Sequence, residues 1–303
     1  MFILHPDPYL LPCYRISPFT TGDNAFNHSL ADDDIIDDYF TGRFGKEKFL
    51  YTYNGREAIN IALNHYNLNK SDVVSIFTTS SNFYISSCVT KEIEKFCNWS
   101  RQIESNTKLI LVNHEFGYPY TTLPELAAYN LPIIENCAHS FFSQDKDKMT
   151  GKTGDFVIYS LPKMFPVQIG GLLVSNIPVE KQKNPVLDHQ SVQYIKNVLS
   201  YYINRKDSII KRRLNNYLFL REKFSAIGLF ERFPLTEGIV PGVFMFRKGN
   251  HKIDLPQLKV HFYEHGIQCS VFYGEEAFFI PVHQALNEFD LLYFHEVMSS
   301  FLV

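Results

Sequence analysis

Lys163 lies in Ile158-Tyr159-Ser160-Leu161-Pro162-Lys163-Met164-Phe165-Pro166-Val167-Gln168-Ile169-Gly170-Gly171, a stretch that is otherwise mostly apolar. An apolar setting disfavours the charged amine, lowers its pKa and makes it a nucleophile towards carbonyls. A solvated surface lysine is the ordinary alternative. Upstream, Asn54-Gly55-Arg56-Glu57 opens an apolar-periodic segment and has capping-box spacing. The bare amides there, with Gly55 allowing close approach and Arg56 alongside, would cradle a phosphate. A plain helix start is the competing reading. In Ile133-Ile134-Glu135-Asn136-Cys137-Ala138-His139, polar side chains follow a buried strand. That is the end of a strand where open α/β sheets bind ligands, although a capped turn with a hydrogen-bonded histidine fits the same residues.

Other motifs carry less. Gly151-Lys152-Thr153 ends like a Walker A loop, but Lys146 stands where the earlier glycine is required. His261-Phe262-Tyr263-Glu264-His265 matches the H-x-x-E-H zinc pattern. Its helix ends at once at Gly266, and no third ligand is identified, so a histidine acting on the helix dipole is the simpler account.

The elements that position these residues alternate along the chain. Strands are expected at Asp72 to Thr78, Lys108 to Asn113, Leu131 to Glu135, Asp155 to Ser160 and Gly170 to Ser175, with helices at Ala58 to Tyr66, Phe83 to Phe96 and Leu123 to Tyr129. Short apolar runs separated by helices indicate a mostly parallel sheet covered on both faces. An acidic run from Asp32 opens a short helix ending near Phe40. After Asn176 the pattern changes to a long helix (Gln190 to Ile227), a strand (Gly242 to Arg247), a helix (Leu255 to His265) capped by Gly266, a strand (Ile267 to Phe272) and a final helix (Leu286 to Phe301). The expected organisation is an N-terminal segment (1–45), a large α/β domain (46–176), and a helical connection with a smaller C-terminal α+β domain (177–303).

Composition narrows the function classes. With 29 basic and 32 acidic residues the net charge is −3, so no global basic field exists for nucleic acid. Five scattered cysteines form no C-x-x-C pair, which suits reduced thiols in a cytoplasmic protein. No apolar run reaches the length of roughly 18 residues needed for a membrane span, and the first residues lack the basic and apolar regions of a signal peptide. The 27 Phe and 18 Tyr imply large buried surfaces.

In combination and in order, the segments resemble the DegT/StrS family of nucleotide-sugar aminotransferases, which use pyridoxal 5'-phosphate (PLP) and adopt the fold type I, aspartate-aminotransferase architecture. The family's S-G-x-x-A-L corresponds to Asn54 to Ile59, its I-E-D-x-A-[QH] to Ile134 to His139, its G-x-x-G-D to Gly151 to Asp155, and its Ser-to-Lys segment to Ser160 and Lys163 before Gly170-Gly171. His114 to Pro119 resembles H-x-[YF]-G-x-P, and Leu258 to Ile267 with Ile280 to His283 resembles the small-domain helix and P-[LV]-H turn. The resemblance spans roughly residues 45 to 303. It implies that Lys163 links covalently to PLP and then moves the proton between Cα and C4′. Ser160 and the amides of Gly55 and Arg56 would bind the phosphate, and His139 would lie near the phenolic oxygen. The residue stacking on the ring would come from Ser80 to Tyr84, with Phe83 the choice and Asn82 the alternative one register away. The implied reaction moves an amino group from an amino acid, glutamate in the first instance, to a nucleotide-linked keto-sugar for surface polysaccharide or related glycan biosynthesis. The implied assembly is a homodimer. No metal is implied.

Two departures stand out. Asn136 replaces the aspartate that the family places under the pyridine nitrogen; an amide stabilises the protonated ring less than a carboxylate does. The chain is also short, the missing residues falling mainly between Asn176 and the long helix, where a partner subunit's asparagine normally meets the phosphate. Both features motivate a second reading, a PLP-binding homologue with a regulatory or structural role.

Overall fold

The computed structural model describes residues 13–178 and 187–302. Strands β1 (Phe49–Thr52), β2 (Val73–Thr78), β3 (Asn98–Ser100), β4 (Thr107–Asn113), β5 (Ile133–Asn136), β6 (Phe156–Ser160) and β7 (Gly171–Ser175) form one sheet in the order β1-β7-β6-β5-β4-β2-β3. From β3 to β6 neighbouring strands are parallel, whereas β7 runs antiparallel to β6 and β1 antiparallel to β7. The helices are α1 (Thr21–His28), α2 (Ile35–Phe44), α3 (Gly55–Asn64), α4 (Ser87–Glu94), α5 (His189–Ile203), α6 (Lys206–Ala226), α7 (Leu255–Glu264) and α8 (Glu288–Leu302).

Period-two alternation sorts the strand residues between two apolar layers. Leu109, Leu111, Phe156 and Ile158 pack with the buried stripe Ala58, Ile59, Ala62 and Leu63 of α3 and with Val89 and Ile93 of α4. Val157, Tyr159, Leu172 and Val174 turn the other way, against Ile36 and Phe40 of α2 and Ile195, Val198 and Leu199 of α5. Both faces are covered, so β4, β5 and β7 are buried along most or all of their lengths.

A second, antiparallel sheet of β8 (Phe230–Glu231), β9 (Phe244–Arg247), β10 (Ser270–Phe272) and β11 (Ala277–Ile280) has the order β10-β11-β9-β8. Its core with α6, α7 and α8 uses much of the phenylalanine: Phe224, Phe244, Phe246, Phe262, Phe278 and Phe294. Tyr14 stitches the N-terminal segment to this unit, donating to the Gly266 carbonyl (2.9 Å) and accepting from Gln268 N–H (2.8 Å).

Several expected boundaries differ. The helix expected from Gln190 to Ile227 is two helices, α5 and α6. Helix α5 packs in the core of the large sheet, whereas α6 starts there with Ile209 and runs on into the C-terminal core with Tyr217, Leu220 and Phe224, so the chain turns at Asn204-Arg205. The helix expected from Phe83 begins only at Ser87. The Ser86 hydroxyl caps it, while Asn82 is held by Arg101 (2.8 Å to its carbonyl) and by the Tyr273 carbonyl (2.7 Å from its Nδ2). Leu123–Tyr129 forms a 3₁₀ helix, closed by Asn130 in the left-handed region (φ 51°). The short strands β1, β3, β8 and β11 were not anticipated. Gly266 does close α7, at φ 71°.

The zinc pattern is used structurally. His261 Nε2 faces the Val297 carbonyl (3.1 Å), and His265 Nδ1 faces the His261 carbonyl (2.8 Å).

Candidate active site

Register brings the candidate residues together. Thr52, Gly171 and Ser160 lie side by side on β1, β7 and β6, and the chain leaves β1 directly into α3. An added Cβ on Gly171 would stand 2.4 Å from Thr52 Oγ1 and 2.5 Å from the Asn54 carbonyl carbon, so only glycine fits there. An added Cβ on Gly55 would meet Ser160 Cβ at 3.4 Å, which places the start of α3 against Ser160. Asn54 caps this helix by accepting Glu57 N–H (3.1 Å), while Glu57 returns a bond to Tyr53 N–H (2.6 Å), one residue earlier than in a standard capping box. Among the described residues, the N–H groups of Gly55 and Arg56 and the Ser160 hydroxyl make no hydrogen bond. The first amides of α3 therefore lie beside Ser160 at the positive end of a helix dipole.

Lys163 follows at once. Ser160 begins the 3₁₀ turn Leu161–Lys163, held by Leu161 N–H to the Gly170 carbonyl (3.1 Å) and Phe165 N–H to the Leu161 carbonyl (2.9 Å). Leu161, Met164 and Phe165 are buried. Desolvation holds the Lys163 amine below the ordinary lysine range; the Arg15 charge lowers it further, and Cys88 opposes.

At the next strand ends, Asn113 and Asn136 pair in register on β4 and β5. Asn136 Nδ2 donates to Asn113 Oδ1 (2.8 Å), and Asn136 Oδ1 accepts Ala138 N–H (3.2 Å). His139 stacks obliquely with Phe116, centroids 5.4 Å apart. Burial, then Lys163, then Arg213 push its imidazole well below the usual range, so it is neutral. Asn113 and Arg213 are not among the residues that the motifs mark. The first was legible as a second strand ending in asparagine; the second had no local signal.

Glu135 has a different task. Fully buried, it accepts from His114 Nε2 (3.0 Å) and from the N–H groups of Gly151 (2.8 Å), Thr153 (2.7 Å) and Gly154 (2.6 Å). His114 Nδ1 accepts Tyr120 N–H (2.9 Å), so Nε2 carries the proton. Burial alone would raise the Glu135 pKa; the His114 bond and charge and the loop amides outweigh it and hold it low. The Gly151-Lys152-Thr153-Gly154 loop that superficially resembles a phosphate loop thus spends its amides on a protein carboxylate. Glu135 with His114 and Cys137 also forms a buried trio whose ligand atoms lie within 4.8 Å, and the bonds just given already occupy its carboxylate and its imidazole.

Phe83 is not brought to the lysine. It is 72% exposed and its ring leans on Trp99 (6.4 Å) of edge strand β3, at the far side of the sheet from β6. Asn82 is tied to Tyr273. Tyr84, also exposed, packs on Tyr273 (5.4 Å), and Cys88 acts electrostatically on both Tyr84 and Lys163.

A family model described as "Putative PLP-dependent aminotransferase" matches residues 36–235, about two thirds of the chain. The chain belongs to this family. Solved structures share its fold: the aminotransferase TlmJ from Streptoalloteichus hindustanus (15% identity, 92% of this chain and 94% of that one, TM-score 0.72), a DegT DnrJ EryC1 StrS aminotransferase from Brucella abortus (14%, 93% and 94%, 0.69), and the sugar aminotransferase CalS13 from Micromonospora echinospora (15%, 96% and 100%, 0.66). No curated protein matches the sequence. The architecture is that of fold type I, as the motifs imply, and the protein is a PLP-dependent aminotransferase. The residues fit the cofactor: unsatisfied donors for a phosphate, a depressed lysine amine for an aldehyde, and cationic surroundings for an anion.

Proposed function

We propose that this aminotransferase transfers the amino group of an amino acid, glutamate in the first instance, to a nucleotide-linked keto-sugar in glycan biosynthesis. What supports the site is that the start of α3 packs on Ser160, three residues before a desolvated Lys163. The sugar acceptor rests on the motif resemblance and on neighbours that act on sugars. When bound, PLP supplies a reactive aldehyde and an electron-accepting ring. The chain supplies the rest. Gly55, Arg56 and Ser160 hold the phosphate through amides, guanidinium and hydroxyl. Tyr84, rather than Phe83, covers the ring face. Asn136 meets the ring nitrogen, and neutral His139 meets the phenolic oxygen. Lys163 Nζ, uncharged for part of the cycle, takes and returns the proton.

The proposed setting is a cytoplasmic homodimer. No helix among the described residues is long and apolar enough to cross a membrane. The shortened stretch after Asn176 falls largely on residues 179–186, outside the described residues. Neither fold nor family assignment favours a purely regulatory or structural role.

Absorbance titration tests the reading. Purified protein should turn yellow with PLP, bleach on adding glutamate, and stay colourless as Lys163→Ala. Wild-type protein that gains no absorbance from PLP overturns it.

A further inference from the structure

Arg213 is the largest fully buried side chain among the described residues. From the middle of α6, in the C-terminal unit, Nη2 donates to the Lys163 carbonyl (2.9 Å), Nη1 to the Pro241 carbonyl (3.2 Å) and Nε to Gln284 Oε1 (2.8 Å). Gln284 then donates through Nε2 to the Met164 carbonyl (2.8 Å). Two consecutive carbonyls of the lysine turn are thus gripped by one guanidinium–amide pair. Buried cations are normally paired with carboxylates, yet no carboxylate among the described residues pairs with this one.

We propose that Arg213 is a positioning residue: it fixes the Lys163 turn to the C-terminal unit and gives the pocket a permanent positive charge that only an anionic ligand balances. This rests on the reading of Lys163 as the PLP lysine. The groups facing His139 agree. Lys163 reaches it from the turn after β6 and Arg213 from α6; Phe116 covers one side, and the Gly242 backbone lies beside Nδ1. All the charges acting on it are positive. His283 is pushed down to about 3, first by burial and then by Arg213, with the Arg15 carbonyl opposing. Burial pulls Arg213 itself down to about 9, which still leaves it charged at neutral pH.

The deciding experiment compares wild type, Arg213→Lys, Arg213→Met and Gln284→Glu. Gln284→Glu matters most, because it sets a carboxylate against Nε in place. It keeps the acceptor for Arg213 but loses the donor to the Met164 carbonyl, so His139, which reads charge, is the deciding signal even where Arg213→Met fails to fold. His139 is titrated by imidazole NMR in PLP-free protein, and PLP affinity is measured by absorbance. In wild type His139 should stay neutral throughout the usual imidazole titration range. Gln284→Glu should raise its pKa by at least one unit and weaken PLP at least tenfold. Arg213→Lys should leave His139 neutral but weaken PLP, because a point charge cannot span three acceptors. A His139 titration unmoved in Gln284→Glu overturns the proposal, whatever happens to stability. Wild-type protein that binds no PLP overturns the parent reading instead, and the His139 titration still reports on Arg213.

Discussion

Asn136 is held by two bonds that leave it one N–H to spare. Its oxygen faces Ala138 N–H and its nitrogen faces Asn113, so the remaining hydrogen is available to an unprotonated pyridine nitrogen. An aspartate here would favour the protonated ring, the better electron sink. Asn136→Asp should therefore raise the rate of the glutamate half-reaction, read by stopped-flow absorbance; an unchanged rate with a verified donor would show that ring protonation is not limiting. The exchange is sterically small, since Asn113 can rotate its amide to donate. Tyr84 and Phe83 form a second contrast. Tyr84→Ala should weaken PLP about tenfold, in line with roughly 0.5–1.5 kcal/mol for an aromatic pair beyond area burial, whereas Phe83→Ala should leave PLP affinity as it is. The reverse pattern would restore Phe83 as the ring-facing residue.

At the scale of elements, the strand end and the Gly151-to-Gly154 loop are locked by Glu135. Its folded pKa is depressed, so it stabilises the fold above the unfolded carboxyl value of about 4.3, and that contribution is lost as pH falls through the folded pKa. Wild-type stability in urea should fall as solutions are acidified below that value. Glu135→Gln would set an amide NH₂ against inward-pointing N–H donors and should cost about 3–5 kcal/mol, with a weaker acid dependence than wild type. The loop closes tightly because Gly154 has no side chain: a Cβ there would come within 2.8 Å of the Phe156 carbonyl.

Across the whole molecule, two units with separate cores meet at the lysine turn, one contributing strand ends and the other Arg213 and Gln284. A ligand that binds there stabilises both. PLP at about one hundred times its Kd should add about 2.7 kcal/mol, measured as a rise in Tm that Lys163→Ala abolishes or greatly reduces. If the pocket assigned here is not the PLP site, that rise will be insensitive to Lys163. The homodimer expected from the motif resemblance is checked by light scattering on the eluting protein.

The alternation of apolar runs and helices, the glycine pairs and the lone lysine in an apolar stretch are local properties, so the sequence by itself determined the layered α/β fold and marked Lys163, Ser160 and Gly55 as the candidates. Boundaries were less legible where tertiary partners override local pattern: α4 starts at Ser87 because Arg101 and Tyr273 hold Asn82, and one periodic helix becomes two because two cores pull on it. Side-chain direction in a loop has no period, so only the tertiary structure set Phe83 against Trp99 and Tyr84 against Tyr273. The pairing of Asn113 with Asn136 depends on register between strands twenty residues apart. Arg213 lies fifty residues from Lys163, and it acts on the site through distances that no sequence spacing records.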